Sequence, residues 1–162
     1  MRWFRFAALI LLVTVLQASA LANLNVGPDL LLILVAFFCF YCNTTEAITT
    51  SFVIGFAADL ISSPIPMGVH TISFGVFGTL LAYVHRVINI RNMPFQAVAI
   101  FTTALLAGAL SQMLALFKGQ VVAANIWTVL LGLSIYSGIV GPFLFLPSAW
   151  WMRIKTNRFA RQ

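Results

Sequence analysis

The run from Leu30 to Cys42 carries no charged residue, no proline and no glycine, and comparable apolar runs recur along the whole chain. A helix that crosses about 30 Å of hydrocarbon needs about 20 mostly apolar residues at 1.5 Å per residue. Spans are therefore expected at about 4–22, 28–42, 47–61, 69–84, 94–117 and 126–146, all within a single transmembrane helical domain over 1–162. Composition agrees: 62% of residues are hydrophobic and 7% charged, against about 25% charged in a typical soluble domain. Too little charge is left to cover a water-facing surface. The expected fold is an all-α integral membrane protein, a compact bundle of about six transmembrane helices.

Local signals set the boundaries. Asn23-Leu24-Asn25 and Gly27-Pro28 end the first run. Pro28 suits a first helical turn and Asp29 the positive end of the second helix. Asn43-Thr44-Thr45-Glu46 offers an N-cap to the third helix, which is short and carries Asp59 near its far end. Pro64, Pro66 and Gly68 then shape the loop that breaks it. Pro94 can open the fifth helix, while Pro142 and Pro147 predict a kink in the sixth and an exit from it, with Trp150 and Trp151 in an interfacial belt.

Orientation follows from the basic residues. With the N-terminus inside, Arg2, Arg5, Arg86, Arg91, Arg153, Lys155, Arg158 and Arg161 all fall on inner segments, and Lys118 alone on an outer one. That is the positive-inside pattern, with both termini cytoplasmic and the basic flanks facing anionic lipid. Nucleic acid is not an expected partner of the +6 net charge, because no basic stripe interleaves with aromatics. Met1 to Ala20 also has the layout of a signal peptide, with Ala18-Ser19-Ala20 in the place of a cleavage site. Cleavage would leave five spans with every later segment on the same side; the expectation is a retained helix.

Few residues are equipped for chemistry. Only three acids exist, and Asp29 and Asp59 fall toward the outer ends of their helices, with His70 at the same depth. An ionisable residue inside a span costs free energy and marks a candidate functional position. Near a helix end the carboxylate can reach the headgroups, so interfacial anchoring competes with function for Asp59. A helix-start carboxylate is the plainer role for Asp29, and a polar helix-start residue the plainer one for His70. Cys39 and Cys42 form a CxxC, but with no second pair and an apolar setting they read as packing residues, and no metal is expected. The sequon Asn43-Thr44-Thr45 falls in a turn placed inside the cell and is discounted. There is no HExxH, G-x-S-x-G or P-loop, so neither an enzyme nor a cofactor is expected. Gln17, Thr102, Thr103, Ser111, Gln112 and Ser134 are scattered in a way that suits interhelical hydrogen bonds, and Ala104/Gly108 and Ser134/Gly138 suit close helix packing.

Pro28-Asp29-Leu30-Leu31-Leu32, and Gly55-Phe56-Ala57-Ala58-Asp59-Leu60 followed by Pro66-Met67-Gly68-Val69-His70, resemble motifs of the bacterial MreD family of rod shape-determining proteins. The size, the hydropathy profile and the basic link after the fourth helix fit as well. The resemblance implies a fold similar to the substrate-binding components of vitamin transporters. It also implies a non-enzymatic inner-membrane component of the machinery that elongates the cell wall. Such a component associates with the single-span protein MreC, and indirectly with MreB, a transpeptidase and a glycan polymerase. On this reading Asp59 and Gly55 border the docking surface of a partner helix, with Asp29 and His70 contributing to partner binding. The alternative is a small-molecule binding subunit of a transporter, with Asp29, Asp59 and His70 lining an outer pocket. The shortage of converging polar groups speaks against it.

Overall fold

The computed structural model describes residues 3–20, 29–61, 67–88, 93–119 and 126–152. These form α1 (Trp3–Ala20), α2 (Leu30–Tyr41), α3 (Thr44–Ile61), α4 (Val69–Ile88), α5 (Met93–Phe117) and α6 (Ile126–Met152), with no strand among the described residues. Pro64, Pro66 and the basic residues Arg2, Arg91, Arg153, Lys155, Arg158 and Arg161 lie outside them.

The most buried element is α2. Every side chain from Leu31 to Phe40 is buried, and the other five helices all pack on it. An element apolar all round its circumference can satisfy itself only in such a central position. Phe37 and Phe38 meet edge to face, and Phe145 of α6 and Phe6 of α1 close on them with ring centroids 5.7 and 5.1 Å away.

The most extensive helix pairing is α3 with α4, followed by α5 with α6. Missing side chains explain both. A Cβ on Gly55 would stand 2.8 Å from the His70 carbonyl oxygen, and one on Gly78 would collide with Ser51. A Cβ on Gly108 would collide with Leu130, and one on Gly138 would press on Phe101. Small residues thus let backbones approach where lipid supplies no hydrophobic drive between helices.

α4 runs to Ile88 rather than ending near Val84, and two further boundaries differ from the sequence expectation for local reasons. α3 begins at Thr44 rather than near Ala47, because the Asn43 carbonyl already accepts from Ala47 N–H at 2.8 Å. α6 does not exit at Pro147; both Pro142 and Pro147 lie inside it and it runs to Met152. The Ser148 hydroxyl donates to the Leu144 carbonyl at 2.9 Å, beside the Phe143 carbonyl whose helical donor Pro147 cannot supply. The indole N–H of Trp151 reaches the Arg5 carbonyl at 3.3 Å and ties the end of α6 to the start of α1.

Among the described residues, the stretches Pro94–Phe117 of α5 and Trp127–Ser148 of α6 are long and apolar enough to cross a membrane; α1 and α2 carry shorter apolar stretches.

Candidate functional site

One cluster of polar contacts lies at the end where α3 turns into α4. A helix leaves its first N–H groups without intrahelical partners, and a side chain normally caps them. α4 begins after Gly68, which has no side chain to offer and sits at φ +93° in the left-handed region. The cap comes from another helix. Asp59 Oδ2 accepts from Gly68 N–H and Thr71 N–H, both at 2.9 Å, and Oδ1 from His70 N–H at 2.8 Å. The Thr71 hydroxyl donates to Oδ2 as well. The carboxylate also faces the positive end of the α4 dipole. At 5% exposure Asp59 is buried, so these four donors replace the water it has lost.

Gly55, one turn earlier on α3, faces the same stretch of α4, where its bare Cα lets His70 and Thr71 come close enough for that cap. Asp59 and Gly55 therefore act first within the chain, as the clamp of the α3–α4 hairpin. Lys118, just beyond α5, adds to it by donating from Nζ to the Met67 carbonyl at 2.6 Å.

Asp29 forms a second node. It is the N-cap of α2, with Oδ1 accepting from Leu32 N–H at 3.1 Å. Gln17 of α1 donates to the same oxygen at 3.2 Å and accepts from Leu31 N–H at 3.1 Å. The Asp29 backbone N–H donates to Ser137 Oγ of α6 at 2.9 Å. One residue thus joins α1, α2 and α6.

The structure brings Asp29 and His70 to a shared cleft of about 130 Å³ and leaves Asp59 out of its lining. Leu32, Phe74 and Leu130 supply apolar wall, and Ser111 and Gln112 of α5 add polar groups. His70 packs its ring against Phe74, centroids 5.7 Å apart. Both of its ring nitrogens are buried and, among the described residues, neither has a hydrogen-bond partner.

Sequence reasoning treated Ser111 and Gln112 as scattered polar residues. Their convergence with Asp29 and His70 depends on how α5 lies against α4, which hydropathy does not encode. Of the polar residues expected to bridge helices, Gln17 does so and Ser111 donates to Ser73 of α4 at 2.9 Å. Thr102, Thr103 and Ser134 instead turn back to carbonyls of their own helices. Cys39 is buried, with its thiol donating to the Gly78 carbonyl at 3.2 Å. Among the described residues no three His, Cys, Asp or Glu side chains come together in a way that could hold a metal.

Fold and site together define a helical bundle of the membrane kind whose ordered polar groups cap and clamp helices. Its sequence matches the family of rod shape-determining protein MreD over residues 1–152. The chain belongs to the MreD family, a family of membrane proteins whose role is structural, the determination of rod shape. Comparison with curated proteins and with solved structures returned no match to this chain.

Proposed function

We propose that this chain is a non-enzymatic component of the inner-membrane machinery that elongates the cell wall, and that it maintains rod shape by docking partner membrane proteins. The first partner is a single-span protein of the MreC kind, and through it MreB, the transpeptidase and the glycan polymerase. The observation that carries this reading is the family match over nearly the whole chain.

In this reading all six helices span the membrane, with both termini cytoplasmic and the basic termini against anionic lipid. The all-but-one placement of Lys and Arg on one side supports that orientation. α1 and α3, at 18 residues each, reach about 27 Å, close to the hydrocarbon thickness. α2 is shorter at 12 residues. Its burial on all sides supplies the setting in which non-helical backbone is tolerated at membrane depth. Cytoplasmic reporters fused after Trp151 should be active, and periplasmic reporters should be active near Asn25, Pro66 and Gln120. Periplasmic activity after Trp151 would refute the orientation.

The docking surface assigned here is the exposed row Phe52, Phe56 and Leu60 of α3, bordered by the buried Gly55 and Asp59. The hairpin clamp presents that row on a rigid element, which lowers the ordering cost of binding. Asp29 and His70 contribute at the cleft on the same end of the bundle. Replacing Phe56 and Leu60 together by alanine should leave the amount of protein in the membrane unchanged. The co-purified MreC-type partner should fall by about five-fold or more, the loss of roughly 1 kcal/mol of contact. Undiminished recovery of the partner with both side chains removed would show that this face does not carry the docking.

A further inference from the structure

Side chains at i, i+3, i+4 and i+7 share one face of a helix, and apolar faces of that kind normally close on a neighbour. Leu9, Leu12, Val13 and Leu16 make such a face on α1. Leu144, Pro147, Ser148 and Trp151 make another on α6. Between the two lies a groove of about 310 Å³, backed by Ile33 and Leu34 of α2, in place of interlocked side chains. Protein interiors keep few voids larger than a water molecule, and apolar atoms that face a gap forfeit dispersion energy. The groove opens outward at Leu12, Leu16 and Trp150, all exposed. Its lining offers little to a polar ligand. The Ser148 hydroxyl is turned back to the Leu144 carbonyl, and the Trp151 N–H is taken by the Arg5 carbonyl.

The Trp151–Arg5 hydrogen bond also brings the first turn of α1 and the last turn of α6 to one rim of the groove. In the sequence Arg2 precedes α1 by one residue and Arg153 follows α6 by one. Residues 1–28 hold Arg2 and Arg5, residues 147–162 hold Arg153, Lys155, Arg158 and Arg161, and neither stretch contains an acid. An apolar slot therefore ends at the meeting point of the two most basic parts of the chain.

We propose that this groove holds one acyl chain of an anionic phospholipid, with the lipid phosphate at the basic rim. The inference deepens the reading of basic termini against anionic lipid and rests on the orientation given above. Size selects the occupant. A cavity of about 150 Å³ holds the six carbons of benzene, so the groove of about 310 Å³ takes roughly a dozen carbons of one chain. One turn of a partner helix, about 10 Å across and 5.4 Å tall, fills roughly 420 Å³ and does not fit. Charge selects the headgroup, because basic residues beside the bilayer attract an anionic lipid more strongly than a zwitterionic one. Trp150 and Trp151 supply the amphipathic rings that sit at headgroup level.

Native mass spectrometry tests this on the full chain, purified in detergent with equal amounts of phosphatidylglycerol and phosphatidylcholine of identical acyl chains. One phosphatidylglycerol per chain should stay bound, in an excess of at least about five-fold over phosphatidylcholine. Leu12→Trp combined with Leu16→Trp fills the groove from its exposed side and should cut retention of that lipid by at least about five-fold. Arg153→Gln combined with Lys155→Gln leaves the groove open and should bring the two lipids to within about two-fold of each other. Equal retention of both lipids by the wild-type chain would overturn the proposal. So would undiminished retention in the filled variant, which would put the lipid on the basic tail alone and free the groove for another occupant. If the double tryptophan variant does not accumulate, Ser148→Phe narrows the same groove from α6 and is read the same way. The measurement uses the purified chain without a partner or a topology reporter, so its failure leaves the docking surface on α3 and the orientation untouched.

Discussion

Asp59→Ala is expected to lower the melting temperature of the purified chain more than any other single change at a polar residue. The substitution removes the acceptor for Gly68, His70 and Thr71 N–H and for the Thr71 hydroxyl at once. Hydrogen bonds to a charged group are worth about 1.5–3 kcal/mol each, and a donor left buried without a partner costs about 1–3 kcal/mol. Water can reach part of the opened N-terminus, so the losses will not add fully. A total of about 3–4 kcal/mol is expected, which for a chain of this size corresponds to a fall of roughly 6–16 °C. Asp59→Asn retains one acceptor oxygen but turns an NH2 toward backbone donors, and should fall between wild type and Asp59→Ala. Thermal unfolding in detergent, followed by circular dichroism, makes the measurement. A melting temperature within about 1 °C of wild type for Asp59→Ala would mean that the cap does not hold the hairpin.

Gly55→Val should be comparably damaging for a steric reason. A Cβ at this position would meet the His70 carbonyl oxygen and the Thr71 Cα, both at 2.8 Å, and Phe74 Cβ at 3.2 Å. The first two belong to the backbone and cannot rotate away, so α3 and α4 must separate. Overpacking of this kind costs about 1–3 kcal/mol, and β-branching at an already crowded contact puts valine at the upper end. Separation also draws Thr71 away from Asp59, which couples the two sites. In an Asp59→Ala background, Gly55→Val should therefore cost less than in wild type, with a coupling on the order of 1 kcal/mol. Fully additive melting-temperature shifts would show that the two residues act independently. If Gly55→Val does not accumulate in the membrane, Gly55→Ala serves the same cycle with a smaller clash.

The two expected losses belong to one feature, and it was half legible in the sequence. Gly55, Asp59 and Gly68 stood out as candidates because an acid near a helix end and glycines beside a break are unusual in an apolar chain. What they do was not legible. Asp59 was expected to border the docking surface of a partner helix; that its carboxylate is taken up by donors at the start of α4, nine to twelve residues further along, was not readable. The separation of Asp59 from Gly68 suggested only a loop. That the missing cap of α4 arrives from α3 requires the hairpin to be closed first. His70 shows the same limit. Its place at a helix start was readable, but its orphaned nitrogens were not, and its neighbours Asp29, Ser111 and Gln112 come from two segments distant in the chain.

The sequence by itself determined the class of structure, the number of helices and most of their ends. Those follow from local quantities: run length against bilayer thickness, the absence of charge, and the residues that cap or break a turn. It also carried the motifs that pointed to the MreD family. Only the tertiary structure decided that α2 is the central helix, that α6 continues through Pro147, and which polar groups face one another. Those outcomes depend on side-chain shape at helix contacts. In a chain this uniformly apolar nearly every helix face reads alike, and only where a glycine admits a neighbouring backbone, as Gly55 admits α4, is the choice between faces made.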